Sequence, residues 1–233
     1  MSDQGISESS STLLEARGIG RRAGSDGAWL LRGVSLSLSA GDRLGLAGPS
    51  GAGKTVLLRA MARLDPLGEG EVLWRGETVS GHRVPAFRSE VAYLHQRPAF
   101  VEGTVEENLE LPFSLKQHRT KRYVREWAVT WLKLMDRDEG FLAKKVYDLS
   151  GGESQLVGLL RAIQLDPLVL LLDEPTAAVD RRTASLVEQS IVNWVDDRPH
   201  ERAIVWVSHD TEQTERICGT ILRIHGGQVE GDS

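Results

Sequence analysis

The sequence contains little cysteine, no long apolar run and no excess of basic residues. Cys218 is the single cysteine, so no disulfide can form within the chain, as suits a reducing compartment. The longest apolar runs, such as Leu168 to Leu172, are far shorter than the roughly 20 residues that span a bilayer. Acidic residues outnumber basic ones, 33 to 28, whereas duplex-binding domains are usually basic. We therefore expect a cytoplasmic protein that does not bind nucleic acid.

The rest of the composition is that of a globular protein. The 233 residues are 40% hydrophobic and 26% charged, enough for one large core or a core with an insertion. Residues 1–12, rich in serine and acidic side chains, are expected to form a flexible tail. Strand patterns follow at residues 13–18 and 29–38, and the second alternates apolar residues with serines, as a half-buried antiparallel strand does.

Strands and helices then alternate, apart from one helical stretch. Strands are predicted at residues 42–48, 71–75, 91–94, 168–173, 203–208 and 221–224, with helices at 55–63, from 152 and at 182–195. Residues 98–148 show helical periodicity alone. The pattern predicts an α/β fold with a largely parallel sheet, an N-terminal antiparallel β subdomain and an inserted helical subdomain at 98–148. The core would comprise residues 13–97 and 149–233.

A glycine-rich turn carries the strongest local signal. Residues 48–55 read Gly-Pro-Ser-Gly-Ala-Gly-Lys-Thr between a predicted strand and a predicted helix, the context that a phosphate-binding loop requires. Glycines let backbone N–H groups point at phosphate oxygens, and the helix N-terminus adds partial positive charge. Lys54 would reach the terminal phosphates, and the Thr55 hydroxyl would ligate Mg²⁺. By itself the loop indicates a nucleoside triphosphate and no more.

Two adjacent acids end the most apolar strand. Asp173 and Glu174 follow Leu172 directly, at the expected carboxyl edge of the sheet. There Asp173 would hold the hydration shell of Mg²⁺, and Glu174 would polarise an attacking water as general base. Strands often end in acidic surface residues that bind nothing, so this pair indicates a site only together with the phosphate loop.

A second anion-binding turn lies between these motifs. Leu149-Ser-Gly-Gly-Glu153 opens a predicted helix, where backbone N–H groups can bind an anion. A single phosphate site does not need it. In this order, together with the phosphate loop and the Asp-Glu pair, it makes the chain resemble the ABC ATPase family from about Leu13 to Gly231.

The resemblance implies roles for further residues. Gln96 looks like the Q-loop glutamine, Asp180 like the D-loop residue that faces a second subunit, and His209 like the switch histidine at the γ-phosphate. The catalytic residues implied are Glu174, His209 and Gln96, and the implied Mg²⁺ ligands are Thr55, Gln96 and Asp173. The residues implied to bind ATP are Gly48, Ser50, Gly51, Ala52, Gly53, Lys54, Thr55, Val56, Ser150, Gly151, Gly152 and Asp180.

The family also implies partners. Its subunits pack head to tail, so ATP would be enclosed between the phosphate loop of one copy and residues 150–152 of the other. One phosphate loop without a long insertion resembles a transporter cassette, which implies an ATP-dependent homodimer bound to a polytopic membrane permease at the inner face of the membrane. The apolar segment 98–113 is expected to contact that permease. Residues 103–113 and 206–210 resemble small bacterial cassettes linked to iron or metal export.

Three alternatives fit parts of the same pattern. A phosphate or amino-acid importer would carry the same motifs. A soluble ABC ATPase would act on a protein partner without transport. An ordinary P-loop kinase would share the phosphate loop but have no use for residues 149–153 or for His209.

Several positions depart from the family pattern. The aromatic residue that stacks on adenine would fall near Ser25, where residues 23–27 contain none, and Trp29 is assigned to the next strand. Weak selectivity for the base is the resulting hypothesis. Glu153 stands where Gln is common, Leu156 where Arg is common and Ala177 where Ser is usual. None of these changes removes a residue implied in hydrolysis.

Overall fold

The chain folds around two β-sheets in the computed structural model, which describes residues 12–24 and 27–230. The expected tail lies outside the described residues except for Thr12, which begins the first strand. None of the described helices is long and apolar enough to cross a membrane.

The smaller sheet is antiparallel. Its strands are β1 (Thr12–Arg22), β2 (Trp29–Ser39), β4 (Glu69–Trp74) and β5 (Glu77–Thr78), in the order β2-β1-β4-β5. Leu14 pairs with Leu38, and both side chains are fully buried. The serines of β2 lie on the other, exposed face, as their alternation with apolar residues predicts. This confirms the expected antiparallel sheet.

The larger sheet is parallel except at one edge. Its strands are β3 (Arg43–Ala47), β6 (Val91–Leu94), β7 (Val169–Asp173), β8 (Ala203–Val207), β9 (Thr220–His225) and β10 (Gln228–Val229). Their order is β10-β9-β3-β8-β7-β6, and only β10 runs antiparallel to its neighbour. Every residue of β7 and β8 is buried, because both faces of the sheet are covered. The carboxyl ends of β3, β6, β7 and β8 therefore meet at one edge.

The structure describes seven α-helices, and capping residues fix where some of them begin. They are α1 (Lys54–Met61), α2 (Val84–Glu90), α3 (Val105–Glu110), α4 (Arg125–Leu134), α5 (Gly151–Ile163), α6 (Arg181–Asp197) and α7 (Thr211–Ile217). Thr104 with Glu107 and Ser150 with Glu153 form capping boxes, so the starts of α3 and α5 are encoded locally.

Two hydrophobic cores lie on opposite faces of the larger sheet. One joins both sheets and α1 and includes Leu57 and Val205. The other packs α3 to α6 against the sheet and includes Leu132, Leu170 and Trp206. Some residues of the expected helical subdomain at 98–148, such as Val105 and Leu132, thus share a core with the sheet. The domain boundaries themselves stay a prediction.

Four short elements have no counterpart in the sequence-based prediction: β5, β10, α2 and α7. The two strands are two residues long and the two helices seven. Such lengths are too short for a hydrophobic period to become visible.

Candidate active site

The glycine-rich turn between β3 and α1 has a backbone that side chains would prevent. Gly48 and Gly53 have φ of 149° and 109°. A Cβ on Gly48 would lie 2.1 Å from the Ile224 carbonyl oxygen, and one on Gly53 would lie 2.9 Å from that of Leu30. The turn therefore needs glycine at both positions.

Lys54 is folded back over this turn. Its Nζ donates hydrogen bonds to the carbonyl oxygens of Gly48 at 2.6 Å and Pro49 at 2.9 Å. Only 6% of the residue is exposed, and burial lowers the pKa of its ammonium. An ammonium has three protons to donate, so two are engaged by the loop itself. The charge is thus placed where a phosphate in the turn would meet it.

Asp173 is anchored through both of its carboxylate oxygens. Thr55 Oγ1 donates to Oδ1 over 3.1 Å, and the Tyr93 hydroxyl donates to Oδ2 over 2.9 Å. Burial and the Asp173 charge raise the pKa of Tyr93, which keeps the phenol protonated as a donor. Hydroxyl and carboxylate oxygens are the ligands that Mg²⁺ prefers, so Thr55 and Asp173 fit the expected ion.

Glu174 is held between two predicted site residues. Gln96 Nε2 donates to its Oε2 over 2.6 Å, and His209 Nε2 lies 2.5 Å from its Oε1. Glu174 has φ of 52°, a left-handed conformation that non-glycine residues rarely adopt and that occurs in strained turns at functional sites. The His209 side chain is 58% exposed, so this cluster faces the outside.

Parallel strand pairing explains why these residues meet. Tyr93 on β6 pairs with Leu171 on β7, and Asp173 pairs with Val207 on β8. Gln96, Glu174 and His209 therefore leave three adjacent strands at the same edge, beside the turn that follows β3. The structure brings together the predicted phosphate loop, Asp173, Glu174, Gln96 and His209.

The turn at residues 150–152, which we call the signature turn, is not part of this cluster. Among the described residues, no hydrogen bond or ion pair joins it to the phosphate loop. Ser150 caps α5, and the Glu153 carboxylate accepts from Ser150 N at 2.9 Å and from Lys144 Nζ at 2.7 Å. Leu156, where the family commonly has Arg, is 1% exposed and packs in the core.

Asp180 is the N-terminal capping residue of α6. Its Oδ1 accepts from the backbone N–H groups of Arg182 and Thr183, and its Oδ2 accepts from the Thr183 hydroxyl. These bonds cap α6 and lower the pKa of Asp180. Its contact with a second subunit stays a prediction.

Gln155 was missed by sequence reasoning, as was Tyr93. The Gln155 amide lies 3% exposed beside the cluster, where its Nε2 donates to the carbonyl oxygens of Glu174 at 2.9 Å and Gln96 at 3.2 Å. Its Oε1 accepts from Ala178 N at 2.9 Å. Gln155 follows the signature turn closely, and nothing in its residue type distinguishes it from a surface glutamine.

The residue expected to stack on adenine would fall near Ser25, shortly before β2. Ser25 lies outside the described residues. Trp29 begins β2 as expected, and the Arg22 guanidinium lies 4.0 Å from the centroid of its ring. The nearest aromatic residue to the expected position thus already has a cation on one face.

Comparisons with known proteins show which family the chain is similar to. The sequence model described as "ABC transporter" matches residues 31–177. A rice protein, STAR1 of Oryza sativa subsp. japonica, is 36% identical over 97% of this chain, which spans 64% of that protein's length. The probable iron export ATP-binding protein FetA of Escherichia coli (strain K12) is 33% identical, with 96% of each chain covered.

Other relatives are named for the transport of different substrates. Solved structures of other cassettes have the same fold. A tungstate uptake ATP-binding protein of Peptoclostridium acidaminophilum is 32% identical over 87% of this chain and 91% of its own. A dimeric ATP-binding cassette in a post-hydrolysis state, bound to ADP and Pi, superposes with a TM-score of 0.83 at 26% identity, covering 95% of this chain and 98% of that one.

Proposed function

The chain belongs to the ABC transporter family as an ATP-binding cassette that hydrolyses ATP, and from this premise we propose that it drives transport through a separate membrane permease. The family assignment is the one expected from the phosphate loop, the signature turn and the Asp173–Glu174 pair. The proposal extends to the residues that carry the reaction, the dimer, the membrane partner and the cargo.

Hydrolysis at Glu174 is the step that the geometry supports best. The observation that carries it is the Glu174 carboxylate held by Gln96 at 2.6 Å and by His209 at 2.5 Å, next to buried Asp173. A water beside Glu174 would lose a proton to the carboxylate as its oxygen attacks the γ-phosphorus. The bond from phosphorus to the bridging oxygen then breaks, and ADP and phosphate result.

The phosphate loop and its neighbours supply the charge for this step. Lys54 would exchange the loop carbonyls for the β- and γ-phosphates and so offset their negative charge. Thr55, Asp173 and Gln96 are the proposed ligands of Mg²⁺, which would neutralise charge on the same phosphates when bound. His209 would donate to the γ-phosphate in place of its present contact with Glu174.

A head-to-tail homodimer would complete each ATP site. The signature turn has no contact with the phosphate loop of its own chain among the described hydrogen bonds and ion pairs. A helix N-terminus that lies apart from the first anion site can serve a second one. Two solved cassettes with a TM-score of 0.83 are described as dimeric, which supports the proposal of a dimer.

The membrane partner is proposed to dock on the segment 98–113. Val105 and Leu109 in this segment are fully buried in the core, whereas Val101 and Leu111 are 57% and 43% exposed. Exposed apolar side chains on the segment that follows Gln96 in the chain would let the permease sense the nucleotide site. The cassette would then lie peripherally at the cytoplasmic face of the membrane.

Metal export is the proposed direction and cargo, with oxyanion uptake as the second candidate. The Escherichia coli relative named for iron export covers the same length as this chain, with 96% of each aligned. The relative named for tungstate uptake is 32% identical, and the alignment covers 91% of its length. Deleting the gene in its host should raise cellular iron and iron sensitivity. Reduced tungstate or sulfate uptake with unchanged iron would favour the second candidate instead.

Replacing the proposed general base tests the reaction and the dimer together. Glu174→Gln should abolish ATP turnover and trap an ATP-bound dimer that size-exclusion chromatography resolves. Glu126→Gln, at an exposed position on α4, is the matched control and should behave like the wild type. A Glu174→Gln chain that still hydrolyses ATP would contradict the role of Glu174. A chain that stays monomeric with ATP would favour a kinase-like reaction.

A further inference from the structure

Gln155 is a buried amide whose three hydrogen bonds reach three different segments. Both protons of its Nε2 are engaged, one by the Glu174 carbonyl oxygen and one by that of Gln96. Its Oε1 accepts from Ala178 N, which lies in residues 177–180, the segment that resembles the D-loop of the family and that we call the D-loop. With 3% of the residue exposed, water does not replace these bonds readily. One side chain therefore connects the Q-loop, the end of β7 and the D-loop.

The bond to Glu174 bears on the orientation of the proposed general base. Glu174 is the first residue after β7 and has φ of 52°. Its N–H still pairs with the Val207 carbonyl oxygen at 3.0 Å, whereas its own carbonyl oxygen accepts from Gln155 at 2.9 Å and from Ala177 N at 3.2 Å. The direction of the Glu174 side chain depends on this turn, and Gln155 fixes the turn from the side of α5.

The start of α5 is packed against the same turn. Gly151 lies one helical turn before Gln155, and a Cβ added to Gly152 would lie 2.7 Å from the Ala178 carbonyl oxygen. The backbone of the signature turn thus touches the D-loop directly. The signature turn, Gln155, the D-loop and the turn at Glu174 are thus joined by one continuous set of contacts.

We propose that Gln155 is a positioning residue that ties the general base of one ATP site to the turn that completes the other. In the head-to-tail dimer, on which this inference rests, the Glu174 of a chain serves its own ATP while its signature turn closes over the partner's ATP. Gln155 makes the position of Glu174 depend on the position of the signature turn. It touches neither nucleotide.

The test removes the amide without shortening the side chain. Gln155→Met deletes both donors and the acceptor, and Gln155→Glu keeps the length and the acceptor but deletes both donors. Gln164→Met is the matched control, because Gln164 caps the C-terminal end of the same helix and its Nε2 donates to the Leu109 carbonyl oxygen at 2.6 Å, away from the cluster. Thermal unfolding and binding of a fluorescent ATP analogue show whether each variant is folded and retains its phosphate loop.

Two readouts separate positioning from a general structural role. In both Gln155 variants kcat should fall about ten- to a hundredfold while KM for ATP stays within about threefold, because the base moves and the phosphate loop does not. In a Glu174→Gln background, the ATP concentration for half-maximal dimerisation should rise about tenfold with Gln155→Met and remain unchanged with Gln164→Met.

Two outcomes would overturn the inference. The first is a Gln155→Met chain that matches Gln164→Met in kcat and in dimerisation. The second is a loss of kcat with no change in dimerisation, because Gln155 would then hold Glu174 without linking it to the signature turn. A wild-type chain that neither hydrolyses ATP nor dimerises with it would contradict the proposed function itself, and would be recognised before any variant is made.

Discussion

Tyr93 supports the proposed metal site from a strand that sequence patterns assign only to the core. Its hydroxyl donates to Asp173 Oδ2 at 2.9 Å, opposite the bond from Thr55. Partners that orient a metal ligand typically change metal affinity about 10- to 100-fold when they are removed. Tyr93→Phe keeps the ring and its packing but frees one oxygen of Asp173.

We expect Tyr93→Phe to raise the Mg²⁺ concentration for half-maximal ATP hydrolysis about tenfold. The Mg²⁺ dependence of ATP binding, measured in a Glu174→Gln background, should shift in the same direction. Tyr123→Phe is the control, because the Tyr123 hydroxyl contacts Glu106 at 3.4 Å in the helical region. An unchanged Mg²⁺ requirement would show that Thr55 alone orients Asp173.

Selectivity for the base is predicted to be weak. The residues at the expected stacking position contain no aromatic side chain, and Trp29 has Arg22 over its ring at 4.0 Å. Without a stacking partner the site would recognise the triphosphate more than the base. Steady-state kinetics should give similar kcat/KM values for ATP and GTP, and a strict preference for ATP would contradict the hypothesis.

The ion pairs of Asp65 join two elements, α1 and β1. Asp65 accepts from Arg59 Nε at 2.7 Å and Nη2 at 2.8 Å, and it also pairs with Arg21 of β1. Hydrogen bonds from Arg59 and Arg21 lower the pKa of the carboxyl from 3.8 to about 2. A folded-state pKa below the unfolded one stabilises the fold above the unfolded pKa, and this contribution is lost as the pH falls through the folded pKa.

Asp65→Asn should therefore lower the free energy of unfolding at pH 7 by about 1–2 kcal/mol. The difference from the wild type should shrink as the pH falls from about 4 toward 2, because Asp65 becomes protonated in both states. Urea unfolding at several pH values measures this. Asp196→Asn breaks an exposed pair with Arg43 at 3.3 Å and should change stability by less than about 0.5 kcal/mol.

Prediction from sequence succeeded for long elements, such as the strand predicted at 29–38, which is β2, and the helix predicted at 182–195, which lies within α6. The short strand Val91–Leu94 was also predicted, and Lys54, Asp173 and Glu174 were assigned from local motifs, so that their roles stay predictions. Tyr93 and Gln155 could not be found this way, because their partners are set by strand register and by helix packing across the fold. The apolar residues of the segment 98–113 show the same limit, since Val105 is in the core while Val101 is exposed.

At the scale of the whole molecule, ATP is expected to stabilise the Glu174→Gln chain strongly. A ligand at 100 times its Kd contributes about 2.7 kcal/mol, which corresponds to a Tm increase of about 5–10 °C for a chain of this size. The increase should grow with protein concentration, because two copies share each ATP. Scanning calorimetry at two protein concentrations measures it.

The same experiment has an internal control. Adding Lys54→Ala to Glu174→Gln removes the ammonium that lies over the phosphate loop, and the ATP-induced increase in Tm should be lost. An increase that is independent of protein concentration would contradict the shared site.

The order of strands in the larger sheet also bears on when the nucleotide site can form during synthesis. β3, which leads into the phosphate loop, pairs with β8 and β9, as in the contacts of Leu44 with Val205 and Thr220. When only β3 and α1 have emerged from the ribosome, the phosphate loop is present but the neighbouring strands β8 and β9 are not. Such distant pairings form slowly and are completed late. We therefore expect nascent chains to gain ATP binding only after the region of β9 has emerged.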